Sequence, residues 1–189
     1  KLDLSVGGSC DLAPLAKLAA LENLQLYIHD VAVVHNFEAL GELPSLGSLS
    51  LRLSRCSIDD LEPLRDVDNL ESLLMWSCRN LTDLSPLADI DSLKTVRLNS
   101  CQGVSDLEPL ARIAGLEHVG LYGCKGIRDV SPLARIDGLK SIELRECSNA
   151  KNVATLTTLP NLESLGIPPT ITDDDLRQLV ETGVLNNSR

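Results

Sequence analysis

Apolar and polar residues alternate in short segments that recur along the chain. Each segment reads Leu-x-x-apolar-x-apolar-x-x-Cys, and the clearest copies, 23 residues apart, are 70–78, 93–101, 116–124 and 139–147. The apolar-x-apolar centre has a period of two residues, which predicts a short strand with one face inward. Strands repeated at a fixed period are expected to stack in parallel about 4.8 Å apart, so eight would form a sheet roughly 35 Å long.

A second box, Asp-Leu/Val-x-Pro-Leu, occurs once in each unit and begins at Asp60, Asp83, Asp106 and Asp129. Its carboxylate can accept backbone N–H groups one or two residues ahead, and its proline suits a first helical turn. We expect one turn of 3₁₀ or short α-helix on the side opposite the strand. Capping is preferred to metal binding, because carboxylates one repeat apart do not converge on one ion.

Weaker copies of this box begin at Asp11, Asn36, Asn152 and Asp175, so that eight units fill all 189 residues. A fixed period of this length indicates a solenoid, in which each unit buries its apolar side against its neighbours. The predicted fold class is an α/β repeat solenoid, an arc with a parallel concave β-sheet and short 3₁₀ or α turns on the convex side. The predicted repeats of this single domain are 1–20, 21–45, 46–69, 70–92, 93–115, 116–138, 139–161 and 162–189.

A capping helix is predicted at 173–183 in the last repeat. Thr172 and Asp175 have the spacing of a capping box, and Gly183 is placed to end the helix. The apolar face of this helix is predicted to comprise Leu176, Leu179 and Val180.

The amino-terminal end shows no comparable capping segment, since the chain begins inside the strand-like segment Leu2–Val6. A solenoid requires caps because its terminal strands expose unpaired edges and apolar core. We therefore expect another domain of the same chain to precede Lys1.

Both boxes resemble leucine-rich repeats, whose pattern Leu-x-x-Leu-x-Leu-x-x-Asn/Cys places a strand on a concave face. The turn segment, as in Asp83-Leu-Ser-Pro-Leu-Ala, is similar to the short repeats of bacterial internalin-type proteins. The ladder cysteine is similar to that of F-box substrate receptors. The repeats also resemble those of bacterial NTPase sensors with a NACHT-type module. The resemblance implies a recognition scaffold without naming its ligand.

Composition narrows the classes of partner. The chain carries a net charge of −10, which argues against nucleic acid and anionic membranes as partners, because both select for basic patches. No run of 18 apolar residues is present, so no membrane span is predicted. Apolar residues make up 43% and aromatic residues 2%, which predicts an aliphatic core.

The six cysteines follow the repeat. Four of them, Cys78, Cys101, Cys124 and Cys147, end the strand segment of their repeat, a place here called the ladder position. The other two, Cys10 and Cys56, lie near the equivalent place. The metal interpretation would require clustered ligands such as Cys-x-x-Cys, which the sequence lacks. Disulfides between cysteines of neighbouring repeats, here called rungs of the stack, remain an alternative, since their Cα atoms would be close enough for a disulfide bond. Buried structural thiols are the preferred interpretation, and they favour a reducing, cytoplasmic compartment.

The residues that flank the inward pair are expected to face outward on the concave side in three columns. The predicted first column is Asn23, Ser48, Ser72, Thr95, His118 and Ser141. The second is Gln25, Ser50, Leu74, Arg97, Gly120 and Glu143. The third is Tyr27, Arg52, Trp76, Asn99, Tyr122 and Arg145. A slip of two residues in the first units, which the leucines around Arg52 permit, would move Arg52 to the second column on the same face.

The predicted third column holds the only Trp and both Tyr residues. Trp, Tyr and Arg dominate interface hot spots, and Trp76 and Tyr122 are expected about 10 Å apart. Leu74 adds an exposed aliphatic group, and Gly120 is expected to leave a depression beside Tyr122. The predicted partner-binding residues are Tyr27, Arg52, Leu74, Trp76, Arg97, Asn99, His118, Tyr122, Glu143 and Arg145.

The sequence therefore favours a scaffold that binds a protein or peptide on its concave face, as the sensor or substrate-binding part of a larger cytoplasmic protein. The alternatives are a structural or autoinhibitory spacer that packs on another domain of the chain, and a surface adhesin of internalin type. No catalytic residue, cofactor or metal site is predicted. His29 and His118 are four units apart, which is too far for an acid–base pair.

Overall fold

The computed structural model describes residues 1–29, 34–46, 48–54, 58–65, 67 and 70–183, and for residues 37, 48, 49 and 51–54 it describes the backbone only. Cys56 lies outside these residues.

Eight parallel strands form one sheet in which the strand order follows the chain. These strands are β1 (Leu2–Gly7), β3 (Asn23–His29), β5 (Ser48–Ser54), β6 (Ser72–Trp76), β7 (Thr95–Asn99), β8 (His118–Gly120), β9 (Ser141–Glu143) and β10 (Ser164–Gly166). Each strand pairs with its counterpart in the next repeat, with an offset of 23 residues from β6 onward and of 22, 25 and 22 residues in the first three pairs. The predicted parallel sheet is thereby confirmed.

The chain returns on the opposite side through short 3₁₀ helices. Those in the described residues are Ala13–Lys17, Phe37–Leu40, Glu62–Leu64, Ser85–Asp89, Leu110–Arg112, Ser131–Arg135 and Val153–Thr158. A small parallel pair, β2 (Cys10–Asp11) with β4 (Val34–His35), also lies outside the main sheet. The single α-helix of the described chain, α1, covers Asp173–Glu181.

An aliphatic core fills the space between the sheet and the 3₁₀ helices. Within β6 the burial alternates, so that Leu73 and Met75 are fully buried while Leu74 and Trp76 are half-buried. No buried side-chain nitrogen or oxygen among the described residues lacks a hydrogen-bond partner. A core that is apolar throughout can be extended by one repeat at a time without leaving a polar group unsatisfied.

The aspartate of the turn box caps the backbone, as predicted. Its Oδ1 accepts the N–H of the residue two positions ahead, at 2.8–2.9 Å, in Asp11, Asp60, Asp83, Asp106 and Asp129. This contact is an Asx-type turn that starts the 3₁₀ segment. In the weaker copies, Asn36 and Asn152 adopt left-handed backbone angles and donate to Asp11 and Asp129 of the preceding repeat.

The four ladder cysteines, Cys78, Cys101, Cys124 and Cys147, and also Cys10 are buried free thiols in the described chain. The Sγ of Cys147 donates to the Leu121 carbonyl of the preceding repeat at 2.8 Å, and Cys124 contacts the Leu98 carbonyl in the same way. These two thiols therefore join one rung to the preceding one. The structural role predicted for the buried thiols is confirmed for these five cysteines.

Two glycines lie where the backbones of adjacent repeats approach closely. A Cβ added to Gly126 would lie 2.5 Å from the Gln102 carbonyl oxygen and still closer to that of Val104. A Cβ added to Gly103 would lie 2.5 Å from the Leu81 carbonyl oxygen. In the next repeat Asn149 stands at this position, and its Nδ2 donates to the Lys125 carbonyl at 2.7 Å.

The capping helix differs from the prediction in two details. Thr172 and Asp175 form the predicted capping box, and Gly183 follows the helix with a φ of 79°. The helix ends at Glu181 rather than at 183. Leu179 is fully buried, but Val180 is 51% exposed, so its assignment to the apolar face was wrong. This helix has nine residues, and Leu179 is the one that it buries fully. Its buried apolar stripe is therefore narrower than the sequence pattern predicted.

We expect Gly126→Ala to lower the free energy of unfolding by about 2 kcal/mol, because the added methyl group must push two adjacent repeats apart. Gly138→Ala is the matched control, since its added Cβ would lie 3.3 Å from the nearest atom, the Leu116 carbonyl oxygen. Urea unfolding followed by circular dichroism measures both. Equal losses in the two variants would contradict the close approach.

Alkaline pH is expected to destabilise the fold through the thiols. Burial raises the pKa of Cys124 from its ordinary 9.0 to about 12. The unfolded thiol ionises first, so this contribution to stability is complete below pH 9 and is lost between pH 9 and 12, by at most about 1.4 kcal/mol per pH unit. Urea unfolding at pH 7–10.5 should show a shallower decline for Cys124→Ala than for the wild type. Parallel declines would contradict the raised pKa.

Candidate functional site

The strand pairing defines three columns of outward positions, here called the concave columns. The first column is Asp3, Gln25, Ser50, Ser72, Thr95, His118, Ser141 and Ser164. The second is Ser5, Tyr27, Arg52, Leu74, Arg97, Gly120, Glu143 and Gly166. The third is Gly7, His29, Ser54, Trp76 and Asn99, continued by Tyr122 and Arg145.

Tyr27 and Arg52 lie in the second column, not in the predicted third column. Tyr27 pairs with Arg52, and Arg52 pairs with Leu74. The assignment of all three aromatic residues to one column was therefore wrong, although all of them remain on the concave side. The alternating leucines of β5 fit the inward positions in either alignment, and a shift of two residues preserves the face. The side chain of Arg52 lies outside the described part.

The third column continues beyond the formal end of the strands. The N–H of Ser77 donates to the Asn99 carbonyl at 2.8 Å, and that of Ser100 to the Tyr122 carbonyl at 2.7 Å. The N–H of Gly123 donates in the same way to the Arg145 carbonyl at 2.9 Å. Trp76 and Tyr122 are thus two rungs apart in one column. This predicted spacing agrees with the structure.

The aromatic side chains are accessible to different degrees. Tyr122 is 43% exposed and Tyr27 is 41% exposed, whereas Trp76 and its neighbour Leu74 are half-buried. The Tyr27 ring also lies 5.1 Å from the His29 ring, centre to centre. The site therefore offers two accessible phenol groups and a partly sheltered indole.

Gly120 and Tyr122 line a common depression, as predicted, and the side chain of Arg97 lies across the Gly120 backbone. A Cβ added to Gly120 would lie 2.9 Å from Arg97 Cγ and 3.3 Å from its Cβ. Gly120 itself is buried for this reason. The carboxylate of Glu143 covers Gly166 in the same way. A glycine on one rung thus allows the long side chain of the preceding rung to lie flat on the sheet.

Glu143 and Arg145 form a tight ion pair within one repeat. Arg145 Nε lies 2.9 Å from both carboxylate oxygens, its Nη2 lies 2.5 Å from Oε2, and its backbone N–H donates to Oε1 at 2.8 Å. Burial alone would raise the pKa of Glu143, but the hydrogen bonds from Arg145 outweigh it and leave this pKa below its ordinary value. Each group therefore neutralises the other.

These residues surround a depression of about 300 Å³ at the carboxyl-terminal half of the sheet. Six predicted binding residues line it: Arg97, Asn99, His118, Tyr122, Glu143 and Arg145. Tyr27 lines a separate depression of about 370 Å³ near β1, together with Asp3, Ser5 and Gln25. Trp76 and Leu74 line neither, but they occupy the rung adjoining Arg97 and Asn99. Most of the predicted residues thus form one main cluster, made up of the six lining residues with Leu74 and Trp76, and Tyr27 lies apart from it.

Sequence reasoning missed a line of alternating charges that runs across the sheet at the end where the strands begin. It comprises Glu71, Lys94, Glu117, Lys140 and Glu163, one per repeat. Lys140 Nζ lies 2.7 Å from Glu117 Oε2, and Lys94 Nζ lies 3.4 Å from Glu71 Oε1. The hydrogen bond from Lys140 lowers the pKa of Glu117. The signal was available in the sequence, because the sign of the charge alternates at the 23-residue period.

The described residues contain no group of three His, Cys, Asp or Glu side chains that could hold a metal ion. Within the same residues, no helix has the length and apolar character needed to cross a bilayer.

Comparison with solved structures identifies the class of fold. The chain matches an internalin (inlF) from Listeria monocytogenes over 95% of its length, with a TM-score of 0.71 and 25% identity, and spans 50% of that chain. It matches internalin C2 (inlC2) from the same organism over 96% of its length and 77% of that chain, with a TM-score of 0.72 and 20% identity.

A plant peptide hormone receptor, RGFR1, solved in complex with RGF2, matches 88% of the chain with a TM-score of 0.55 and 13% identity. The chain covers 32% of the receptor structure. No protein-family model matches the chain, and no curated protein sequence matches it either.

The fold is that of a leucine-rich repeat solenoid. Within this class the chain is internalin-like, as its turn segments predicted. Proteins built in this way are, in general, scaffolds for protein interactions rather than enzymes, because a solenoid presents an extended concave surface.

Trp76 serves as a reporter of the site, since the chain contains no other Trp. Acrylamide should quench its fluorescence in the native protein less than in urea, because the indole is half-buried, but quenching should remain measurable. Complete protection in the native state, or quenching equal to that in urea, would contradict this position.

Proposed function

We propose that the chain binds a protein or peptide partner on the concave columns, centred on Trp76, Tyr122 and Arg97. The observation that carries the proposal is the concentration of hot-spot residue types on one face of a chain with few aromatic residues. Its one Trp and both Tyr residues occupy concave columns, and so do Arg52, Arg97 and Arg145.

The shape of the face supports the same proposal. A sheet of eight strands presents a broad, regular surface, and its 300 Å³ depression is partly open to solvent and lies at the lower end of the size range of small-molecule pockets. The receptor match also favours a peptide ligand, since that neighbour was solved in complex with RGF2. Tyr27, 41% exposed and remote from the main cluster, would contact a different part of the same partner.

The proposed setting is a larger cytoplasmic protein in which this chain is the sensor or substrate-binding part. The five buried free thiols support a reducing compartment. A surface adhesin is the second candidate, favoured by the two internalin matches. A functional fusion protein imaged in its own cell distinguishes the two settings.

The variants Trp76→Ala and Tyr122→Ala test the binding face. Each should weaken a purified partner's affinity by about 2 kcal/mol while the free energy of unfolding changes by less, because both side chains stand on the outward face. The partner is obtained by affinity capture on the wild-type chain, purified, and measured by isothermal titration calorimetry.

Val180→Ala is the control, because Val180 is 51% exposed on α1, away from the concave columns. Wild-type affinity in both aromatic variants would remove the concave face from the proposal. It would also favour a role for the chain as a spacer between domains.

A further inference from the structure

Charge is distributed unevenly between the concave columns and the rest of the chain. The charged residues of the concave columns are Asp3, Arg52, Arg97, Glu143 and Arg145, which gives a net charge of +1. Since the whole chain carries −10, the remainder carries −11. Only two of the 27 acidic residues stand on these columns. The candidate binding face is therefore the positive part of an acidic molecule.

Of the two concave arginines whose side chains are described, Arg145 is ion-paired with Glu143, whereas Arg97 acts on that carboxylate only from a distance and helps to lower the pKa of Glu143. The carboxylate of Glu143 is engaged by Arg145 through three side-chain contacts, as well as by the Arg145 backbone N–H. Within the described residues, no carboxylate lies within 4.0 Å of the Arg97 guanidinium. Its side chain is exposed, and its stem is held flat against Gly120. A guanidinium fixed in this way has lost part of its rotamer freedom before any partner arrives.

Apolar surface flanks this charge on the two adjoining rungs. Leu74 pairs directly with Arg97, and Trp76 pairs with Asn99 beside it. Tyr122, 43% exposed, lines the same depression as Arg97. A partner that places a carboxylate over Arg97 can thus cover Trp76, Leu74 or Tyr122 with an adjacent apolar side chain. The acidic outer surface of this chain would meanwhile repel acidic segments from other docking positions.

We propose that the concave columns recognise an acidic segment of a partner protein, in which an Asp or Glu carboxylate pairs with Arg97 and a neighbouring apolar side chain covers Trp76 and Tyr122. This inference rests on the proposed function and specifies the chemistry of the partner.

Selection from a phage-displayed library of random linear peptides on the immobilised 189-residue chain tests the inference. Enriched peptides are synthesised and their affinities measured by fluorescence anisotropy with the wild type, Arg97→Gln, Trp76→Ala and Arg112→Gln. Arg112 is the matched control, because it lies in a convex 3₁₀ helix and its removal changes the total charge by the same amount.

The expected result is enrichment of peptides that carry Asp or Glu beside an apolar residue. Arg97→Gln should weaken them at least about tenfold, the loss of one charge-assisted hydrogen bond, whereas Arg112→Gln should leave the affinity unchanged. Binding should also weaken as NaCl rises from about 50 to about 500 mM. Replacing the peptide carboxylate by Lys should abolish wild-type binding and restore binding to Arg97→Glu.

The other outcomes separate this inference from the proposed function. Neutral or basic peptides that need Trp76 but not Arg97 would overturn the acidic partner and retain the concave binding face. Peptides insensitive to both residues, or no enriched peptide, would overturn both. Sedimentation velocity of the free chain is run in parallel, because dimers abolished by Arg97→Gln would show that the acidic occupant is a second copy and overturn the partner-protein assignment.

Discussion

The spacing between neighbouring rungs is the constraint on which the rest of the structure depends. Each repeat buries its apolar residues only against the repeats on either side, so every backbone must approach the next one closely and in the same way. Gly103 and Gly126 allow this approach where an added Cβ would collide with the preceding repeat, and the thiols of Cys124 and Cys147 join adjacent rungs through carbonyl groups. The concave columns are regular because these internal contacts are regular.

This regularity explains why most of the fold was predictable from the sequence. The turn box at Asp60, Asp83, Asp106 and Asp129 predicted the Asx-type turns, and the Leu and Cys positions predicted the strands and buried thiols. A period-two pattern specifies which face is inward but not the alignment of two strands to within two residues. The places of Tyr27 and Arg52 were beyond the sequence for that reason.

The candidate site was predictable in composition and not in geometry. Sequence placed Trp76 two rungs from Tyr122, and the hydrogen bonds beyond the strands agree. It could not foresee that Arg97 would lie across Gly120, because the direction of a long side chain depends on the free space on the next rung. The exposure of Val180 depends similarly on how α1 meets the last repeat, which no local pattern encodes.

The glycines beneath Arg97 and Glu143 have a consequence for how such a surface can change. Gly120 and Gly166 lie beneath the Arg97 and Glu143 side chains of the preceding rung, and their lack of a Cβ determines which way those side chains lie. A methyl group at either position would displace the charged side chain that now covers it, while every charged and aromatic residue of the site kept its identity. Binding specificity can therefore change through substitutions at Gly120 and Gly166, and a comparison of the charged and aromatic residues alone would overlook such a change.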